Sequence, residues 1–362
     1  MKIEDCTLFF ELLRVSVGEA DALSREVSGK DWSLLFAMAA KQSLDGICFA
    51  GVEKLSESSD FEIPEETLYE WYGNYAYIKG QNDLFDRRCV ELCQMVAESG
   101  LQSCILKGQG NAAMYGGQLR YSRRPGDIDL WISGGRQVVL DWVRSVAAVR
   151  DIDNHHVRAE IFPDCEVEVH YQPGVLLNRC ADARYRKWYE SRIAEQFTGI
   201  YPSASFNLVY QLTHLHGHFF TEGIGLRQFM DYYFLLKNRD FDDSQSREAR
   251  KTVSRLGMDR FASAVMWVLG YVFGLSRDYM LWKPDGSCGR FVLEEIMKGG
   301  NFGMYDSSRR RKAGASHLYR FGQIVRHGLR FARHFPSMCL WVPLNHICTY
   351  LGNGERERLR KG

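Results

Sequence analysis

The residues with the clearest capacity for chemistry are the two aspartates of Asp127-Ile128-Asp129-Leu130-Trp131-Ile132. Ile128, Leu130 and Ile132 alternate with Asp127, Asp129 and Trp131, which is the period-two pattern of a strand. Alternation places both carboxylates on one face, with their backbones about 6.5–7 Å apart. Two carboxylates so placed repel each other in a buried site unless a cation lies between them. Hard oxygen donors suit Mg²⁺, which takes one or two carboxylates and leaves other positions to water and substrate phosphates. Two such ions about 3.5–4 Å apart can clamp the attacking and leaving oxygens of an in-line displacement.

The elements that must position this pair lie on both sides of it. Ser103 to Leu106 is a short apolar run ending in Lys107-Gly108. Gly108 and Gly110 allow a sharp turn, after which Asn111 to Tyr115 can form a short helix. A helix N-terminus of that kind is a seat for phosphate. A basic loop follows, with Arg120, Arg123 and Arg124, and Gly126 leads into the aspartates. Further on, Cys165 to Tyr171 alternates again. Glu166, Glu168 and His170 share one face there; Val167, Val169 and Tyr171 share the other.

Taken in order, these residues resemble the nucleotidyltransferases of the DNA polymerase beta superfamily. The chain looks most like a bacterial subfamily described as uncharacterised nucleotidyltransferases. The resemblance is carried by Leu106-Lys107-Gly108, Arg123 and Gly126-Asp127-Ile128-Asp129-Leu130. It covers about residues 100–175 and thins toward residue 240. It implies an α+β fold, a small mixed sheet with flanking helices, with helical parts on either side. It implies transfer of a nucleoside monophosphate from an NTP to an acceptor hydroxyl, with release of pyrophosphate. Asp127 and Asp129 would hold Mg²⁺ or Mn²⁺, and Glu168 would be the third ligand or the general base. Lys107 and Gly108 would contact the triphosphate, with Arg123 or Arg124 offsetting its charge. Two positions depart from the superfamily pattern. The third acid is Glu where Asp is commoner, and Gly108 is followed by Gln109 where Gly or Ser is usual. A binding module that keeps the fold without catalysis, and an RNA-modifying transferase, are the alternative readings.

The rest of the chain supplies supports and a few further candidates. Its 362 residues divide into an N-terminal helical region (1–100), the core (101–175) and a C-terminal helical region (176–362). Apolar clusters at helical spacing mark helices within residues 5–57. A long helix runs from Pro64-Glu65-Glu66 to about Glu98, with Phe85, Cys89, Leu92 and Val96 as its apolar stripe. A helix spans Gln137 to Ala147, and two strands lie within 154–172. In the first of these, His156, Arg158 and Glu160 share one face and His155, Val157, Ala159 and Ile161 the other; His156 and Arg158 could contact the nucleotide or its co-substrate, and a solvated face is the alternative. Helices follow over 203–239, 248–256 and 260–274, with a polar surface segment from Asp240 to Arg247. His214, His216 and His218 lie on the first; the outer two share a face and His216 points elsewhere. Arg227 and Asp231, four apart, can pair along one helix, or Arg227 can point at the nucleotide.

The net charge of +1 gives no global bias toward nucleic acid. The charge is uneven, however: no acid occurs from Ser307 through Gly354, and Arg309, Arg310, Arg311, Lys312, Arg320, Arg326, Arg330 and Arg333 all fall there. On a helix Arg326, Arg330 and Arg333 would share a face able to hold RNA, anionic lipid or an acidic partner. Without an accompanying RNA-binding module, a small-molecule or protein acceptor is favoured over RNA. The ten cysteines show no metal-type pairs, which suits reduced thiols in the cytoplasm. The N-terminal residues do not read as a secretory signal, and no apolar run is long enough to span a membrane.

Overall fold

Ser28, with Asp31 three residues later, opens the first well-capped helix. The Ser28 side chain accepts from the Asp31 amide, and the Asp31 carboxylate accepts from the Ser28 amide. The computed structural model describes residues 2–57, 61–306, 317–345 and 347. In it, helices α1 (Thr7–Val17), α2 (Gly29–Lys41) and α3 (Asp45–Ser56) precede the long α4 (Glu65–Glu98). At 34 residues, α4 is about 51 Å long and reaches two separate cores. Its first half buries Trp71 among the helices, where the indole donates to the Asp45 carbonyl at 2.8 Å. Its second half lays Phe85, Cys89, Leu92 and Val96 on the sheet.

The sheet is built from β1 (Ser103–Ile105), β2 (Ile128–Ile132), β3 (Val149–Ile152), β4 (His156–Ala159) and β5 (Val167–His170). The short helices α5 (Gln109–Ala112) and α6 (Leu119–Ser122) link β1 to β2, and α7 (Gly135–Val146) links β2 to β3. The strand order is β1-β2-β5-β4-β3. Only the β2–β5 pair is parallel; the other three pairs are antiparallel, so the sheet is mixed. One face carries Ile128, Leu130, Ile132, Val157, Val167 and Val169, packed against α4 and against Val139, Leu140 and Val143 of α7. The opposite face carries the polar residues of the same strands, and there Trp131 stacks on Phe206 with ring centroids 5.8 Å apart.

Phe206 belongs to α10 (Ala204–Phe220), which follows α8 (Arg179–Glu190) and α9 (Ile193–Gln196). Then come α11 (Leu226–Asn238), α12 (Asp243–Arg255), α13 (Asp259–Phe273), α14 (Gly286–Gly299) and α15 (His317–Arg330), with a further helical stretch over residues 336–345. Residues from Ile3 to Val342 join in one apolar cluster, so helices before and after the sheet share a core. Among the described residues no helix is long and apolar enough to cross a membrane.

Several expectations shift. Strand β3 was not read from sequence because Arg150 and Asp151 are both exposed, which removes the apolar alternation. The polar segment after Asp240 begins α12, because Asp242 caps the Gln245 amide. The helix after Lys107 starts at Gln109 and has four residues. Gly108 sits before it at φ +49°, and a Cβ there would lie 3.2 Å from the Asp127 carbonyl oxygen, so the turn requires glycine. Arg309 to Lys312 fall outside the described residues. Arg333 lies beyond the end of α15, off the helix face expected for it, and Arg330 pairs with Asp306 at 3.0 Å and with Glu295.

Candidate functional site

The parallel register of β2 and β5 sets Asp129 opposite Glu168 and Trp131 opposite His170. Paired residues project from the same face, and His170 returns to that face two positions after Glu168. Ligand atoms of Asp129, Glu168 and His170 lie within 4.8 Å of one another, close enough to hold a metal ion. Asp127 lies just before the first residue of β2 rather than within it. It is half-buried and forms no hydrogen bond or ion pair among the described residues.

Asp129 is 2% exposed. Its Oδ1 faces Lys107 Nζ at 2.7 Å and His170 Nε2 at 2.9 Å. Glu168 accepts from Arg158 Nε at 2.9 Å, and His156 Nε2 lies 3.3 Å from the same carboxylate. The antiparallel β4–β5 pairing brings these partners in, placing Arg158 opposite Glu168 and His156 opposite His170. Burial works against the Lys107 ammonium, but Asp129, Asp127 and Glu168 outweigh it and hold its pKa above the usual value. Burial, with Lys107 and His156 nearby, pushes His170 down to about 3. Burial, then His170 and His156, pushes His155 down to about 2. Both rings are neutral at pH 7. His214 is also held well below the usual range by burial and by His218.

The arginines are arranged differently from the sequence expectation. Arg123 is taken up inside the fold. It forms a buried pair with Asp231, Nε to Oδ1 at 2.7 Å and a terminal nitrogen to Oδ2 at 2.8 Å. Asp231 is therefore taken across the fold and is not the helical partner of Arg227. Arg124 reaches α3 and pairs with the buried Asp45, with Nε 3.0 Å from Oδ1. Arg227 is 7% exposed and donates to the Arg124 carbonyl at 2.9 Å. It has no carboxylate partner among the described residues, and its Nε has no acceptor. Burial and the nearby Arg123 lower its pKa to about 10, against the pull of Asp231 and Asp127. A Cβ on Gly126 would meet the guanidinium at 3.8 Å, so this unneutralised charge lies beside the backbone that leads into Asp127.

Helix α10 closes one side. His214 and His218 share a face with ring centroids 4.3 Å apart, and His218 pairs with Glu222 at 3.2 Å. His216 points instead at Phe220 and Phe261, as its spacing requires. Sequence reasoning missed Asp231 and Asp45 as partners of the basic loop, since nothing local marks residues so distant along the chain. It also placed His155 on the opposite strand face from His156. His155 in fact lies in the turn before β4, free of the strand alternation, and its ring centroid is 5.3 Å from that of His170.

No curated protein and no solved structure matches the chain. The model of a family described as uncharacterised nucleotidyltransferase matches residues 28–274, more than half of the 362 residues, and the protein belongs to that family.

Proposed function

We propose that the protein moves a nucleoside monophosphate from an NTP to an acceptor hydroxyl and releases pyrophosphate. The observation that carries this reading is Asp129 directly opposite Glu168 on parallel strands, with unpaired Asp127 two residues upstream. Asp127, Asp129 and Glu168 would hold Mg²⁺ or Mn²⁺, since carboxylate oxygens suit a hard cation and Asp127 has its carboxylate free. Bound there, the metal offsets triphosphate charge and aligns the transfer.

The remaining roles belong to side chains already in place. Lys107 stays charged beside Asp129, so it holds the carboxylates together and offers a contact to the triphosphate next to the Gly108 turn. Arg227 takes the phosphate-contacting role that Arg123 and Arg124 leave open, because its charge is not spent on a carboxylate. Neutral His170 orients Asp129. Glu168, held by Arg158 and His156, completes the carboxylate set or takes the acceptor proton. The acceptor is a small molecule or a protein rather than RNA, since Arg330 is engaged within the fold. The free cysteines among the described residues suit a reducing cytoplasm.

The test is incubation with each α-labelled NTP, Mg²⁺ or Mn²⁺ and cell extract, followed by a search for labelled product. Product is expected with at least one NTP and is lost when Asp127→Asn and Asp129→Asn are combined. Absence of product with every NTP, together with no rise in melting temperature on adding metal and NTP, sinks the proposal. A rise without transfer supports a binding module in its place.

A further inference from the structure

We infer that His155, His156 and His170 form a second cation site, built for a borderline divalent transition metal such as Zn²⁺. It is distinct from the oxygen donors of Asp127 and Asp129. One ring nitrogen from each histidine lies within 4.8 Å of the others. The ring centroids are 4.5, 5.3 and 5.2 Å apart. Two nitrogens bound to one tetrahedral ion at about 2.0–2.1 Å stand about 3.3–3.4 Å from each other. His155 Nε2 and His156 Nδ1 are 3.2 Å apart and share one proton in a hydrogen bond, which an ion bound between them would displace.

The outer contacts point the same way. His170 meets the Asp129 carboxylate through Nε2 at 2.9 Å, which fixes the proton on that nitrogen and leaves a lone pair on Nδ1. That Nδ1 is buried and has no hydrogen-bond partner among the described residues. His156 Nε2 stands 3.3 Å from Glu168. Carboxylates behind the far nitrogens of histidines are the usual second tier of a metal centre and set which nitrogen faces the ion. The rings are also held by backbone. Strand pairing sets His156 opposite His170, and the His155 carbonyl accepts from the Tyr171 amide at 3.1 Å.

Imidazole donors select Zn²⁺ and its neighbours over Mg²⁺. Three protein ligands leave a fourth position for water or substrate. The site stands on these rings alone, so it does not depend on nucleotidyl transfer.

The probe is Co²⁺, titrated into the nucleotide-free protein and followed by visible absorption, with Zn²⁺ as competitor. A saturable band of one ion per chain, displaced by Zn²⁺, is expected. His155→Ala with His156→Ala should weaken binding by more than about 100-fold, beyond the loss typical of an outer contact alone. Asp127→Asn should leave the band in place. If the double variant is unfolded by circular dichroism, the single His155→Ala, at a half-buried turn position, carries the test. No saturable band, a band intact in His155→Ala, or a band lost equally in Asp127→Asn overturns the site.

Discussion

Two polar clusters of this fold, one around Asp231 and one around Asp127, are built from the same kinds of residue and differ in their pairing. Around Asp231 both carboxylate oxygens are answered twice. Its carboxylate accepts from Arg123 Nε, a second Arg123 nitrogen, Asn111 Nδ2 and Tyr115 Oη, at 2.7 to 3.0 Å. The Asn111 carbonyl accepts in turn from Gln211 at 2.8 Å. Around Asp127 the groups are less well answered: among the described residues its carboxylate makes no hydrogen bond or ion pair, Arg227 has no carboxylate within ion-pair distance, and His170 Nδ1 has no hydrogen-bond partner. The first cluster is closed and ties α5, the basic loop, α10 and α11 together. The second is open, with charge and lone pairs held out of water at a cost in stability. A closed network serves the fold; an open one is the kind of arrangement the proposed function requires.

Substitution of the central aspartates gives the largest expected contrast. Asp231→Asn leaves Arg123 buried and uncompensated, which should cost about 3–5 kcal/mol of folding stability. Asp127→Asn removes no partner and should shift stability by less than about 0.5 kcal/mol, while on the proposed function it should abolish transfer. Urea unfolding of both variants measures this, and equal destabilisation would erase the distinction between the clusters.

A smaller effect is expected at Arg227. Arg227→Gln should raise stability by about 1 kcal/mol, because a buried cation without a counter-ion is costly. The same change should weaken NTP binding by about tenfold, or about 1.4 kcal/mol. Loss of stability with unchanged NTP affinity would move Arg227 into the closed class.

The smallest effect concerns α10, which serves both clusters. Burial lowers His216 to about 4, so the folded state resists protonation below the unfolded value near 6.5. Its contribution is complete above about pH 6.5 and is lost progressively as pH falls toward 4. Between pH 7 and 5.5 it should amount to about 1 kcal/mol. His216→Gln should flatten the stability-against-pH curve by that amount, and an unchanged slope would place the titration elsewhere.

The open cluster was the more legible of the two from sequence. Period-two alternation put Asp129, Glu168 and His170 on common strand faces, and the Lys107-Gly108 turn announced itself by composition. Strand patterns are local, and the parallel register then needs only the apolar residues to choose a face. The closed cluster was not legible. Arg123 and Asp231 are 108 residues apart, and Arg124 and Asp45 are 79 apart. A helical spacing of four suggested Arg227 for Asp231, but tertiary packing offered a guanidinium better placed to bind both carboxylate oxygens. His155 was misplaced because alternation was extended through a residue that precedes its strand.

The pairing of β2 with β5 has a consequence for insertions and deletions. The apolar residues Ile128, Leu130, Val167 and Val169 and the polar residues Asp129, Glu168 and His170 occupy alternate positions of the same two strands. One residue gained or lost within β5 therefore exchanges the two sets, turning carboxylate and imidazole into the core and valines into the cleft. No version of the chain can keep its core and misalign its carboxylates by a single step. The segment from Glu160 to Glu166 lies outside both strands and can change length without touching that alternation. Length variation among descendants of this chain is thereby steered into loops, and the cleft inherits the stringency of the hydrophobic layer beneath it.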